Sequence, residues 1–247
     1  MKTFLRPRRD FLLLLTVCAA FGTLNVSSGS SAARAADKPM KIGIIGTGQI
    51  GGALAEHWAK AGHELLISSR HPDELKPLAA KLGPRVRVGT PKEAAAFGDA
   101  VLISVPYKAL PQVGKDYAQE LAGKVVLETG NPYPQRDGDM AVKAREQGTG
   151  VASKAFLPGV KLVRAFNAIN AGDLRREGHR SGTPLAIPLA GDDKDALAVA
   201  SQLVRDAGFE PVIVGDLSTA RKFDVNTQVY VRLLTAQQLR KELGLKP

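Results

Sequence analysis

Past the first forty residues, short apolar runs alternate with longer stretches whose apolar positions recur about one helical turn apart. Lys41-Ile42-Gly43-Ile44-Ile45 is the first run. Ile50, Leu54, Trp58 and Ala61 then carry helical spacing, and Gly62 predicts the stop. A second strand is expected over 63–68, and further strands over 86–88, 100–105, 124–127, 161–165, 185–189 and 210–214. Pro91–Phe97 and 193–207 read as helices between them, the former with proline in its first turn. Such alternation predicts an α/β protein with a doubly wound, mostly parallel sheet. Residues 225–243 keep helical spacing at Val229, Leu233, Ala236 and Leu243, so a small C-terminal helical extension is expected, packed on the sheet or in a dimer contact.

Between the first strand and the first helix stands Gly46-Thr47-Gly48-Gln49-Ile50-Gly51. The G-x-G-x-x-G spacing means little alone, but inside a strand–turn–helix–strand unit of this length it predicts a Rossmann-type dinucleotide site. Gly46 permits the tight turn, Gly48 lets backbone approach a pyrophosphate, and Gly51 lets the helix pack close to the strand. The pyrophosphate then meets unsatisfied N–H groups at the positive end of the helix. Where NAD-binding proteins usually place an acid, the second strand ends in Ser68-Ser69-Arg70, with no acid before Asp73. Two hydroxyls and a guanidinium suit a 2′-phosphate, so NADP is the expected cofactor.

Composition adds a leader and removes several classes. Residues 1–35 run from a basic start (Lys2, Arg6, Arg8, Arg9) through an apolar stretch over 11–21 to Ala33-Arg34-Ala35, a cleavage pattern. Arg8-Arg9-Asp10-Phe11-Leu12 resembles a twin-arginine export signal, with Pro7 where Ser or Thr is usual. The expected organisation is a leader over 1–35, a nucleotide-binding domain over 36–216 and a tail over 217–247, in a periplasmic or secreted protein with no stable membrane insertion after cleavage. A start at Met40 would instead give a cytoplasmic protein. Of the net charge of +10, the leader carries +4, leaving a mildly basic +6. No arginine-rich run or aromatic patch argues for nucleic acid. Cys18 is the only cysteine, and His57, His63, His71 and His179 lack ligand spacing, so neither a disulfide nor a metal centre is expected. No Tyr has Lys four residues on, which excludes short-chain dehydrogenases, and too little chain follows Val214 for the helical second domain of hydroxyacid dehydrogenases.

The ordered set of motifs resembles the deazaflavin-dependent (coenzyme F-420) NADP reductases and the related domain of eukaryotic membrane metalloreductases. It comprises the glycine loop, Ser68-Ser69-Arg70, Val105-Pro106-Tyr107, Gly130-Asn131-Pro132, Leu157-Pro158-Gly159, Val163-Arg164-Ala165-Phe166-Asn167 and Ala190-Gly191-Asp192-Asp193. The resemblance implies direct hydride transfer between nicotinamide and a flavin or deazaflavin co-substrate, with no catalytic side chain required. It implies that Gly46 to Gly51 (Gly46, Thr47, Gly48, Gln49, Ile50, Gly51) hold pyrophosphate and that Ser68, Ser69 and Arg70 hold the 2′-phosphate. Val105 and Pro106 would border the nicotinamide, with Asn131 and Asn167 on nearby loops, as ligand contacts or as turn residues. The expected partners are a small-molecule acceptor and a second copy in a homodimer. A non-catalytic NADP-binding module or partner subunit, exported in the same way, is the alternative.

Overall fold

The computed structural model describes residues 39–246. The leader expected over 1–35 lies outside the described residues. Eight strands form one sheet: β1 (Lys41–Ile45), β2 (Glu64–Ser68), β3 (Val86–Gly89), β4 (Ala100–Ile103), β5 (Val125–Glu128), β6 (Lys161–Arg164), β7 (Ala186–Gly191) and β8 (Glu210–Gly215). Their order is β3-β2-β1-β4-β5-β6-β7-β8, parallel throughout except between β6 and β7. Every expected strand is present, with ends shifted by a residue or two.

The helices that matter for the site are α1 (Gln49–Lys60), α2 (Lys76–Leu82), α3 (Pro91–Phe97), α4 (Leu110–Asp116) and α5 (Ala118–Leu121). They continue with α6 (Pro134–Asp137), α7 (Asp139–Gln147), α8 (Thr149–Phe156), α9 (Ala171–Glu177), α10 (Lys194–Asp206) and α11 (Ala236–Glu242). Several start where the sequence supplies a cap. Thr90 and Glu93 close a capping box on α3, Thr235 and Gln238 close one on α11, and Asp193 caps α10.

Both faces of the sheet are covered, which is why the strands read as continuous apolar runs rather than alternating ones. On one face α1 and α10 pack through Leu54, Trp58, Ala200 and Leu203, and the Trp58 indole donates to the Leu203 carbonyl at 2.8 Å. On the other, α3, α4 and α8 bury Ala94, Val113 and Ala152 against Val101, Ile103 and Val126. Gly43 makes the α3 contact possible, since a Cβ there would stand 1.9 Å from the Ala94 carbonyl oxygen.

The tail differs from the expected helix over 225–243. Only Ala236–Glu242 is helical, and residues before it wind in turns. Tertiary bonding prevails over local spacing: Val231 N donates to Ala168 O at 3.0 Å, Ala186 N donates to Leu234 O at 2.8 Å, and Leu185 bridges Thr235. The segment is thereby drawn onto the start of β7, where Val229, Leu234 and Leu239 pack with Val212 and Phe223.

Candidate functional site

The strand order reverses at β1, which pairs with β2 on one side and β4 on the other. In open α/β sheets ligands bind in the crevice beyond the carboxyl ends of the strands at such a point. Two adjoining clefts lie there. The larger, about 670 Å³, is bordered by Gly46, Thr47, Gly48, Ser69, Arg70 and Lys108, among others. The smaller, about 410 Å³, has Gln49, Ile50, Asn131, Tyr133, Asn170 and Tyr230 on its walls. Gly48, Ser104, Val105, Pro106 and Arg136 line both, so the two form one elongated site.

The three motif glycines divide as the sequence implies. Gly46 sits at φ +94°, and a Cβ there would meet the Ser104 carbonyl oxygen at 2.3 Å; at Gly51 it would meet the Gly46 oxygen at 2.2 Å. Both serve the turn and the packing of α1. Gly48 is different: an added Cβ meets no protein atom within 4 Å. It is the N-cap of α1, makes no side-chain cap, and is followed by a first turn without an acid. The helix thus presents its unsatisfied N–H groups to the cleft, with no acid in its own first turn. That is a fit for a pyrophosphate. Thr47 fixes the loop through its hydroxyl and its N–H, both donating to Ser68 O at 3.0 Å. Gln49 is oriented by Arg175 Nη1, 3.1 Å from its side-chain oxygen.

Two expected ligand residues do not reach the site through their side chains. Ser68 is fully buried, and its hydroxyl donates to Ile44 O at 2.7 Å. It is the last residue of a strand covered on both faces, so it serves the loop by its carbonyl, and of the three expected residues only Ser69 and Arg70 line the cleft. Asn167 is also buried and lines neither cleft. Its amide nitrogen donates to Phe223 O at 3.3 Å and approaches Asn131 Oδ1 at 3.4 Å. Asn167 supports Asn131, which does line the smaller cleft.

Residues beyond those the sequence marks complete the walls, Lys108, Asp116 and Arg136 among them. Arg70, which the sequence marks, and Lys108 take part in no ion pair among the described residues; both line the larger cleft, as Asp116 does. Arg136, by contrast, is paired with Asp137 at 2.7 Å and donates to Asn131 O at 2.7 Å. The hydrogen bond to Asp137 holds the guanidinium's pKa above its usual range. For Asp137, burial would raise the pKa, but bonds from Arg136 and from the N–H groups of Tyr133 and Lys108 outweigh it and hold the carboxyl low. Beneath the β5 loop lies a buried network. Arg164 pairs with Glu128, donates to Gly130 O at 2.9 Å and lies 3.8 Å from Asp224. Glu128 in turn accepts from Gly130 N and from Ser153 Oγ, the latter at 2.9 Å. A charged strand end buried this way clamps the loop that carries Asn131.

Fold and site define a Rossmann-type dinucleotide-binding protein. Residues 41–132 match the model of the NADP oxidoreductase, coenzyme F420-dependent family. The F420-dependent NADP reductase of Methanothermobacter thermautotrophicus is 29% identical over 215 residues, covering 81% of this chain and 92% of that one. Metalloreductase STEAP3 of Rattus norvegicus is 26% identical over 226 residues; the match takes in 89% of this chain but spans only 42% of the metalloreductase. Among solved structures, a hypothetical protein from Sinorhizobium meliloti superposes with a TM-score of 0.70 at 25% identity, covering 80% of this chain and 96% of the other. The family model and the F420-dependent NADP reductases point to one class, the NADP-dependent oxidoreductases.

Proposed function

We propose that the chain transfers a hydride between NADP(H) and a flavin-like or deazaflavin acceptor, both held in the elongated site at the β1/β4 switch point. The observation that carries this reading is the open space at Gly48, at the uncapped start of α1 and in the same cleft as Ser69, Arg70 and Lys108. Backbone N–H groups there face the pyrophosphate, while Arg70 and Ser69 face a 2′-phosphate through charge-assisted bonds. Val105 and Pro106, shared by both clefts, offer an apolar step on which the nicotinamide rests between them. When bound, reduced nicotinamide supplies the hydride from its C4 carbon. The protein's part is to hold two flat rings face to face and to exclude water between them. The likeness to the F420-dependent NADP reductase over nearly its whole length supports the acceptor class.

The test is direct. Purified protein is mixed with reduced NADP and, in turn, with riboflavin, FMN, a deazaflavin and a quinone, while nicotinamide absorbance is followed. Oxidation with a flavin or deazaflavin, and little with reduced NAD, is the expected result. Tight NADP binding without turnover by any acceptor would reduce the protein to a binding module.

A further inference from the structure

At the far end of the smaller cleft, two tyrosines from distant parts of the chain meet hydroxyl to hydroxyl. Tyr133 follows the β5 loop, and Tyr230 comes from the turn segment that replaces the expected helix; their phenol oxygens are hydrogen-bonded. The amide beside them bears on that bond. Asn131 Nδ2 lies 2.8 Å from the Asn167 carbonyl oxygen, and a carbonyl accepts only from the nitrogen end, so the Asn131 side chain has one orientation. The same nitrogen then points its second N–H at Tyr230 Oη, 3.3 Å away. Of the two directions open to the bond between the phenols, the one in which Tyr230 donates completes a chain from Asn131 through Tyr230 to Tyr133. In that direction the Tyr133 proton has no protein acceptor among the described residues, and Tyr133 lines the smaller cleft. We propose that Tyr133 is the proton donor to the hydride acceptor, and that Asn131 and Tyr230 are positioning residues that polarise it.

The surroundings are built for this. Arg136 and Arg145 lie over the Tyr133 ring, 5.2 and 5.9 Å from its centroid, so the phenolate left after proton transfer meets two guanidinium charges. The Tyr133 N–H donates to Asp137, whose charge Arg136 offsets. Tyr230 is aimed by an unusual backbone: Val231, the next residue, sits at φ +53°, a region that β-branched residues avoid, and is held there by its bond to Ala168 O. Strain of this kind persists where the fold over-determines a geometry. Burial and the bond to Tyr133 also hold the Tyr230 phenol protonated well beyond the usual tyrosine range, so it keeps its proton and its hydrogen bond to Tyr133.

The step balances, given the hydride reading on which it rests. The acceptor gains a hydride and with it an electron pair on a conjugated heteroatom. The Tyr133 O–H bond breaks, an N–H or O–H bond forms on that heteroatom, and the electron pair of the broken bond stays on the phenol oxygen. Tyr230 keeps its proton and holds the phenolate through its hydrogen bond, and water returns a proton to Tyr133. The net uptake is one proton per reduced NADP oxidised. A one-electron acceptor would need no such group, so the pair argues for a flavin or deazaflavin type of ring.

The experiment compares wild type, Tyr133→Phe and Tyr230→Phe with reduced NADP and the flavin or deazaflavin that turns over best. Calorimetry of NADP binding and thermal melting serve as readouts independent of turnover. In Tyr133→Phe, kcat should fall about 10²-fold, the usual weight of a general acid. KM and NADP affinity should hold, and the solvent deuterium isotope effect seen in the wild type should collapse. Tyr230→Phe should lose less in kcat at the same NADP affinity. Wild-type kcat and isotope effect in Tyr133→Phe would overturn the inference and leave the hydride reading standing. An inactive wild type that still binds NADP would overturn the hydride reading, and this inference with it. Loss of NADP affinity and melting temperature in proportion to kcat would show that the pair is structural only.

Discussion

At Gly48 an added methyl group meets no protein atom within 4 Å, whereas at Gly46 and Gly51 it runs into backbone oxygens at 2.3 and 2.2 Å. Three glycines of one motif therefore carry different burdens. Gly46→Ala and Gly51→Ala should each destabilise the fold by about 1–3 kcal/mol, the scale of overpacking. Gly48→Ala should melt like wild type yet lose NADP, because the methyl group stands where the pyrophosphate must come. Gly52→Ala, whose Cβ would lie 3.5 Å from Arg175 Nη2, serves as the tolerated control. Calorimetry and melting curves on the four variants separate folding from binding, and normal NADP binding by Gly48→Ala would leave the loop as a turn and nothing more. Arg70 carries a second prediction at this scale. Arg70→Ala should weaken NADP by about 1.5–3 kcal/mol, the value of a charged hydrogen bond, and leave NAD nearly unchanged. Equal losses for both nucleotides would place the 2′-phosphate elsewhere, with Lys108 and Arg136 the other cations lining that cleft.

The ends of β5 and β6 hold a charge pair where an apolar contact would be usual, and the loop above them depends on it. Arg164 and Glu128 are both buried, and each also bonds backbone of Gly130. Arg164→Leu should cost about 3–5 kcal/mol in a denaturant titration, because Glu128 is left as an unpaired buried charge. Glu128→Leu combined with Arg164→Leu should recover part of that loss, and a double variant no more stable than the single one would count against the pair. At α1, burial lowers the pKa of His57 despite the partly offsetting bond between its Nε2 and Leu174 O at 2.8 Å. A group whose folded pKa lies below its unfolded value of about 6.5 supports stability above that value and withdraws it as pH falls through the folded pKa. Melting temperature should therefore decline from about pH 6.5 downward, and a His57→Gln variant should lack that component. Most of these elements were legible in the sequence, because strands buried on both faces read as apolar runs and glycines, prolines and caps mark their ends. Side-chain direction was not. Ser68 and Asn167 occupy the right edge of the sheet, but spacing does not say that the first hydroxyl turns back to Ile44 or that the second amide bonds Phe223. Tyr133 and Tyr230 are 97 residues apart, and no local pattern announces a contact that depends on the turn at Val231.

The proposed site exists only when the whole body is assembled: β1 gives its phosphate loop, β4 gives Val105 and Pro106, the β5 loop gives Asn131 and Tyr133, and the C-terminal segment gives Tyr230. An unfolded chain offers no such site, so a protein exported unfolded would have to find its nucleotide outside the cytoplasm. Export in the folded state removes that difficulty, because NADP can be loaded before transport. In the leader expected over 1–35, Arg8-Arg9-Asp10-Phe11-Leu12 resembles the pairing that such a route reads, and Ala33-Arg34-Ala35 is the expected cut. We therefore propose that the mature protein begins at Ala36 outside the cytoplasm and leaves with its nucleotide bound. Replacing Arg8 and Arg9 together by Lys keeps the charge of the leader and removes only the guanidinium pair. The expected outcome is full-length precursor retained in the cytoplasm, folded and still able to bind NADP in a pull-down on immobilised nucleotide. Intact-mass measurement decides between the starts: a periplasmic species beginning at Ala36 supports export, and a cytoplasmic species beginning at Met40 sinks it. Unchanged export of the Lys-Lys variant, with correct cleavage, would instead assign the leader to the general secretory route and require that NADP be acquired after folding on the far side.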